Sequence, residues 1–331
     1  MAERRAGAER RAGAERRAGA EGGNRHILVV CLNPTVQRTF LVDGFRTGEV
    51  NRARKHRVDA SGKGVNVARV LAQLGARATQ LTHSGGRDHS LFCELAERDG
   101  VRIDAVETEI EVRGAYTIVD PTAPSTELVE EGMEVPPNVE GRVRARFLRR
   151  LSEIQGLIIT GSKAPGFSAT LYAWMVGEAR RHGVAVLTDY RGDDLVNSLA
   201  SGPHFIKPNF VEFVQTFLPE LVPDDGMSEH AAAPELVDAV KGKMVEIQRE
   251  YGVVPIVTRS ARSTFYVEDG HVCEDSPIEL EPVNTTGSGD AFAAGFMYRH
   301  LGGGDLLDAV RFGHECAAAN ARVLKPGSLH D

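Results

Sequence analysis

An α/β fold with a mostly parallel central sheet, helices on both faces and a small β-sheet lid is predicted. Three observations predict it. Strand-sized apolar runs alternate with helical periodicity along most of the chain, as in βαβ units. Two stretches, 37–57 and 113–130, read instead as hairpin-like segments with period-two alternation, such as Tyr116 and Ile118. Glycine-rich turns lead directly into apolar helical runs at two places, 60–68 and 284–296.

In chain order, 27–32 is expected as a buried strand. A helix over 64–74 follows, with Val67, Val70, Leu71 and Leu74 at helical spacing. Strand 78–82, helix 90–98, strand 157–160, helix 168–181 and strands 184–188, 204–207 and 254–258 come next. Helices 291–301 and 306–323 close the chain. The hairpin-like stretches cannot serve as crossover helices, so a small sheet covering one end of the main one accommodates both, as a lid would.

The composition is that of an ordinary globular chain: 331 residues, 42% apolar and 26% charged. A net charge of −7 gives no basic field for nucleic acid. No apolar run has the ~18–20 residues of a membrane span. Cys31, Cys93, Cys273 and Cys316 are far apart and show no metal-ligand spacing, which points to reduced thiols and a cytoplasmic setting. Residues 2–19 are three copies of Ala-Glu-Arg-Arg-Ala-Gly with charge +3 and no apolar face. Residues 1–23 are therefore expected as a disordered low-complexity tail, with one folded domain over 24–331. The tail has no apolar signal-peptide core.

The turn Asn284-Thr285-Thr286-Gly287-Ser288-Gly289-Asp290 precedes an apolar helical run. Glycines allow the backbone close to a ligand, and the first amides of a helix lack internal partners, so such a turn collects N–H dipoles on an anion. Asp290 stands at its edge, where it can take a proton from an attacking hydroxyl. An Asp at a helix start is equally an ordinary cap, so the turn alone is a weak signal. Ala60-Ser61-Gly62-Lys63-Gly64-Val65-Asn66 is a second such turn, suited to a phosphate or a polyol. It has neither P-loop nor dinucleotide spacing. Lys207-Pro208-Asn209-Phe210-Val211-Glu212 is a third feature. Asn209 and Glu212 share one face there, as a capping box or as a magnesium-facing pair.

Together these motifs, with Ile159-Thr160-Gly161-Ser162 and Pro165-Gly166, resemble the carbohydrate kinases of the ribokinase superfamily, the PfkB family, over 27–325. Asn33-Pro34, Gly48-Glu49-Val50-Asn51-Arg52 and Lys63 are similar to its phosphosugar branch, which includes 1-phosphofructokinase and tagatose-6-phosphate kinase. The resemblance implies a ribokinase-like fold and ATP-dependent transfer to a sugar hydroxyl. It implies Asp290 as base and the amides of Gly287, Ser288 and Gly289 as anion hole. Gln37, Gly62, Lys63, Asn66 and Arg113 would bind the sugar, with Lys63 and Arg113 on its existing phosphate. Lys207, Asn209, Thr258, Ser260, Arg262, Thr286, Gly289 and Asn320 would bind ATP, and Glu212 would face magnesium, directly or through water. A homodimer through the lid sheet is expected from its unpaired edges.

Several positions depart from the family. Gln37 replaces an Asp that holds sugar hydroxyls. Ser61-Gly62 stands for Gly-Gly, Arg259 and Arg262 for small residues, and Asp189-Tyr190-Arg191-Gly192 for Asp-Thr-Ser-Gly. The alternatives are a kinase of an unphosphorylated sugar or nucleoside, a sugar-binding regulator on this scaffold, and a nicotinamide dehydrogenase. The last lacks its fingerprint after the first strand.

Overall fold

The computed structural model describes residues 25–222 and 233–330. The expected tail over 1–23 lies outside the described residues. The chain opens with strand β1 (His26–Val30) and the pair β2 (Thr35–Leu41) and β3 (Lys55–Ser61), then α1 (Lys63–Gln73). It continues through β4 (Arg77–Gly85), α2 (His89–Arg98), β5 (Arg102–Thr108), β6 (Arg113–Asp120), β7 (Ala123–Val129) and α3 (Pro137–Arg150). Next come β8 (Gly156–Thr160), α4 (Leu171–Arg181), β9 (Ala185–Asp189), α5 (Asp193–Leu199), β10 (Phe205–Ile206) and α6 (Phe210–Phe217). Helix α7 (Pro234–Tyr251), strands β11 (Val254–Arg259), β12 (Arg262–Glu268) and β13 (His271–Asp275), and helices α8 (Ser288–Leu301) and α9 (Leu306–Ala321) complete it.

The main sheet has the order β13-β12-β11-β10-β9-β8-β1-β4-β5. All neighbours from β5 to β11 are parallel, and the β11–β12–β13 edge is antiparallel. Buried parallel strands must be apolar on both faces, and β1 shows why this sheet needs two helical layers. Leu28 and Val30 join the core under α3, α4, α6 and α7, whereas Ile27 and Val29 join the one under α1, α2, α8 and α9. Burying each such side chain stabilises by roughly 1.5–3 kcal/mol.

The two hairpin-like stretches form one four-stranded lid sheet, β3-β2-β6-β7. Its halves are joined by a parallel pairing of β2 with β6, from Thr35↔Arg113 to Leu41↔Val119. Several elements are corrected. The strand expected over 204–207 is only the two residues of β10, and the helix expected from 168 begins at Leu171. Strands β5, β12 and β13 and helices α3, α5 and α7 were not anticipated.

Candidate active site

The parallel strands β9, β10 and β11 end under the lid, where open α/β sheets bind ligands. A cavity of about 370 Å³ lies there. Its lining includes Gln37, Gly62, Lys63, Asn66, Arg113, Lys207, Asn209, Glu212, Thr258, Thr286, Gly287, Gly289 and Asp290, drawn from six separate stretches of chain. Ser260, Arg262, Ser288 and Asn320 do not line it.

Gly287 has φ +84, and a β-carbon on it would stand 2.4 Å from the amide nitrogen of Gly327, so only glycine fits. The turn before α8 needs that residue to bring its amides to the cavity. The amides of Gly287 and Gly289 have no hydrogen-bond partner among the described residues. Ser288 is different: its amide donates to the Thr285 carbonyl at 3.1 Å. Of the three amides expected for an anion hole, those of Gly287 and Gly289 are thus open and that of Ser288 is engaged. Asn320, expected on the nucleotide, lies outside the cavity lining. It is fully buried, its amide nitrogen donating to Thr286 O and Ser288 Oγ at 3.0 Å each, its oxygen accepting from the Ser328 amide. It braces the turn from beneath.

Asp290 is buried at the start of α8 and accepts a hydrogen bond from Asn66 Nδ2 at 2.8 Å. Burial raises its pKa to about 6, with Asp189 adding to the rise and Lys63, Asn66 and Lys207 opposing it. That is a carboxylate ionised at neutral pH yet basic enough to accept a proton.

Behind it lies a carboxylate that sequence reasoning had noted only as a departure. Asp189, at the end of β9, is buried with Lys207 Nζ at 3.3 Å and Lys63 Nζ at 3.6 Å from Oδ1. Burial alone would raise its pKa, but Lys207 and Lys63 outweigh that and hold it below the usual range. Lys207 Nζ lies 3.7 Å from where a β-carbon on Gly289 would be, so its ammonium borders the Gly287–Gly289 turn. Lys63 Nζ is also 3.5 Å from Glu212 Oε1. Burial lowers the Lys63 pKa, but Asp189, Glu212 and Asp290 together raise it. Lys63, expected beside Arg113, thus has its partners among the carboxylates near Asp290.

Asn209 and Glu212 form a full capping box on α6, Glu212 N to Asn209 Oδ1 at 2.8 Å and Asn209 N to Glu212 Oε2 at 3.0 Å. Glu212 lines the cavity, and its Oε1 lies outside the cap, against Lys63. Thr258 joins Asn209 through an isolated parallel bridge. Ser260, at φ +49, and Arg262 are exposed at the β11–β12 turn. Arg259 is buried, stacked 4.3 Å over the Phe265 ring, which explains an arginine at a position expected to be small.

The lid supplies the opposite wall. Arg113 donates from Nε to Thr35 Oγ1 at 3.0 Å and from Nη1 to the Glu130 carbonyl at 3.3 Å. Two rungs along, Gln37 Nε2 donates to Thr117 Oγ1, and Thr117 Oγ1 donates to Glu127 Oε1 at 3.3 Å. Thr286 Oγ1 reaches across from the glycine turn before α8 to the same Glu127 oxygen at 3.3 Å. Glu127 was not anticipated. The family-model match of the whole fold decides the class of this site: residues 27–329 match the pfkB family carbohydrate kinases.

The chain belongs to the PfkB family of carbohydrate kinases.

It is thus a phosphotransferase with a sugar hydroxyl as acceptor. It is 30% identical over 288 residues to the 1-phosphofructokinase of Rhodobacter capsulatus, covering 86% of this chain and 87% of that one. It is 27% identical over 307 residues to the ATP-dependent 6-phosphofructokinase isozyme 2 of Mycobacterium tuberculosis, covering 92% and 86%. In fold it is similar to phosphofructokinase-2 from Escherichia coli, solved with substrates and products: TM-score 0.79 at 21% identity, covering 92% and 96%. In this PfkB kinase no described helix is long and apolar enough to cross a membrane. Its four cysteines are free, Cys31 and Cys316 buried, Cys93 and Cys273 partly so.

Proposed function

We propose that this kinase transfers the γ-phosphate of ATP to a hydroxyl of a sugar that already carries a phosphate, of the fructose 1-phosphate or tagatose 6-phosphate kind, with Asp290 as base. The observation that carries this is the juxtaposition in one cavity of a buried carboxylate, two free glycine amides and a lid arginine. Arg113 is the lid cation suited to the sugar's own phosphate, since its guanidinium presents paired donors to phosphate oxygens. Asp290 takes the proton of the acceptor hydroxyl as that oxygen bonds to the γ-phosphorus and the bond to the β-phosphate oxygen breaks, releasing ADP. The amides of Gly287 and Gly289 and the Lys207 ammonium offset charge on the transferring group.

Glu212 Oε1 fits a magnesium carried in with ATP, met directly or through a water. One carboxylate oxygen is free of the cap, and no group of three metal-ligating side chains forms a dedicated cage among the described residues. When bound, that ion would neutralise phosphate charge. Asn209, Thr258 and Thr286 line the nucleotide side of the cavity in this reading.

A homodimer through the lid belongs to the same reading. Strands β3 and β7 are its open edges, and Leu128 and Val129 on β7 are 61% and 49% exposed. Sedimentation of the purified chain tests this. A cytoplasmic setting is motivated by the free thiols.

The deciding experiment is ADP release over fructose 1-phosphate, fructose 6-phosphate, tagatose 6-phosphate, the parent sugars and a nucleoside. Preference for one phosphorylated sugar supports the proposal. Preference for an unphosphorylated acceptor, or no release with any, overturns it.

A further inference from the structure

Outside the lining of the cavity, one cation among the described residues is fully buried. Arg69 on α1 is 1% exposed. Its Nε donates to Asp99 Oδ2 at 2.7 Å and its Nη1 to the Pro326 carbonyl at 2.6 Å, while Nη2 donates to the Ala60 carbonyl. Two further contacts come from Nη1, one to the Gly327 carbonyl at 3.4 Å and, the informative one, one to Asn66 Oδ1 at 3.2 Å. Asn66 is the residue whose Nδ2 donates to Asp290.

An amide side chain has one accepting and one donating end, and either orientation fills the same space. Here the orientation is forced from both sides. A guanidinium only donates, so the end facing Arg69 must be the oxygen. An ionised carboxylate only accepts, so the end facing Asp290 must be the nitrogen. Turned over, Asn66 would set its oxygen against the Asp290 carboxylate and its NH2 against Arg69, losing both bonds. Ser61 Oγ donates to the same Oδ1 at 3.4 Å, a longer contact from a hydroxyl that can rotate to accept instead.

The C-terminal turn closes the arrangement. A β-carbon on Gly327 would stand 2.2 Å from Asn66 Cβ, so 326–327 is wedged between α1 and the Gly287 turn. Lys325 Nζ pairs with Asp99, which holds Arg69 in turn.

We propose that Arg69 is a positioning residue for the base: it fixes the Asn66 amide so that the nitrogen is presented to Asp290, and the 325–328 segment holds Arg69 in place. This rests on the reading of Asp290 as base. The other groups facing Asp290 are Lys63 on α1, Asp189 at the end of β9 and Lys207 after β10, with the Cys31 thiol nearby, pushed up by burial. None of these four is a hydrogen-bond partner of Arg69.

The test is the titration of the Asp290 carboxyl by carbon-13 NMR in aspartate-labelled protein without ligands, the signal assigned by its loss in Asp290→Asn. The midpoint should lie near 6 in the unsubstituted protein. It should move up by about one pH unit in Arg69→Met, because a donor to the ionised form becomes free to turn away. Arg69→Lys, which restores a donor-only group, should fall between. A midpoint in folded Arg69→Met equal to that of the unsubstituted protein overturns the proposal. A check without an Arg69 variant covers the case in which those chains do not fold. The side-chain amide signals of Asn66, assigned by Asn66→Ala, should shift with the Asp290 midpoint, and flat signals would equally overturn it. Failure of the base assignment looks different: kcat measured with MgATP and fructose 1-phosphate would survive in Asp290→Asn whatever Arg69 does.

Discussion

The floor of the cavity and its lid are built on opposite plans. On the floor every charged group is buried or half-buried and paired: Lys207 and Lys63 on Asp189, Lys63 on Glu212, Asn66 on Asp290. On the lid, the groups facing the cavity hang on two short sets of hydrogen bonds, Arg113 to Thr35 and the Glu130 carbonyl, and Gln37 to Thr117 to Glu127 to Thr286. Glu127 is exposed, and no described cation pairs with it. A preorganised floor suits phosphoryl transfer, which depends on positioned charge. A loosely tied lid suits a sugar that must enter and be recognised. Floor substitutions should therefore act on turnover, lid substitutions on the Michaelis constant of the sugar.

The largest effect is expected at Asp290. Asp290→Asn should lower kcat by ~10²–10⁴ while leaving both Michaelis constants within a few-fold, because the near-isosteric amide still starts the helix but cannot take the proton. Retention of more than about a tenth of wild-type turnover would reduce Asp290 to a helix cap. The same group gives a pH signature. Turnover should fall as pH drops through about 6, where Asp290 becomes protonated. Stability should move the other way. The folded pKa is raised above the ordinary 3.8, so the contribution of this group is fully present below 3.8 and is lost as pH rises through about 6. Asp290→Asn should accordingly melt higher than the wild type at pH 7, and a lower melting temperature would contradict the burial argument.

Lys63→Ala comes next. With its ammonium among Asp189, Glu212 and near Asp290, its loss should reduce kcat/KM by roughly 10–100-fold and shift the acid limb of kcat upward. An effect confined to the sugar's Michaelis constant would return Lys63 to the role read from sequence, on the sugar's phosphate.

The two regions also differ in how legible they were. The floor is assembled from helix starts, where glycine turns and the residues just after them are neighbours in the chain. Gly287–Asp290, Gly62–Asn66 and Asn209–Glu212 could therefore be read as units. What sequence reading missed there is long-range: Asp189 as the partner of two lysines, and the brace by Asn320 through Ser328. On the lid, cavity-facing residues come from alternate positions on three strands. Glu127 becomes a neighbour of Gln37 only through the registers Gln37↔Ala115 and Thr117↔Glu127, which no local pattern encodes. Helix α3 escaped for a related reason. Its buried stripe is only Val139, Val143 and Phe147, set among five arginines. Strand β5 alternates Asp104 and Val106 inward, with Asp104 held by Arg146 and Arg150, so its buried acid masked its period.

The smallest of these effects is expected at Glu127. Glu127→Gln keeps an acceptor for Thr286 and Thr117 but removes the charge, so the sugar's Michaelis constant should change only several-fold, with kcat nearly untouched. A turnover defect as deep as that of Lys63→Ala would show that the lid takes part in transfer and would dissolve the contrast drawn above.

The most direct test is the selectivity for a phosphorylated sugar over its parent, measured as the ratio of kcat/KM for fructose 1-phosphate and fructose, in the wild type and in Arg113→Ala. A lid guanidinium on the phosphate should contribute ~1.5–3 kcal/mol, so the ratio should fall by roughly 10–200-fold, mostly through the sugar-phosphate Michaelis constant, with that of ATP unchanged. An unchanged ratio, or a loss that falls on ATP, would contradict the account.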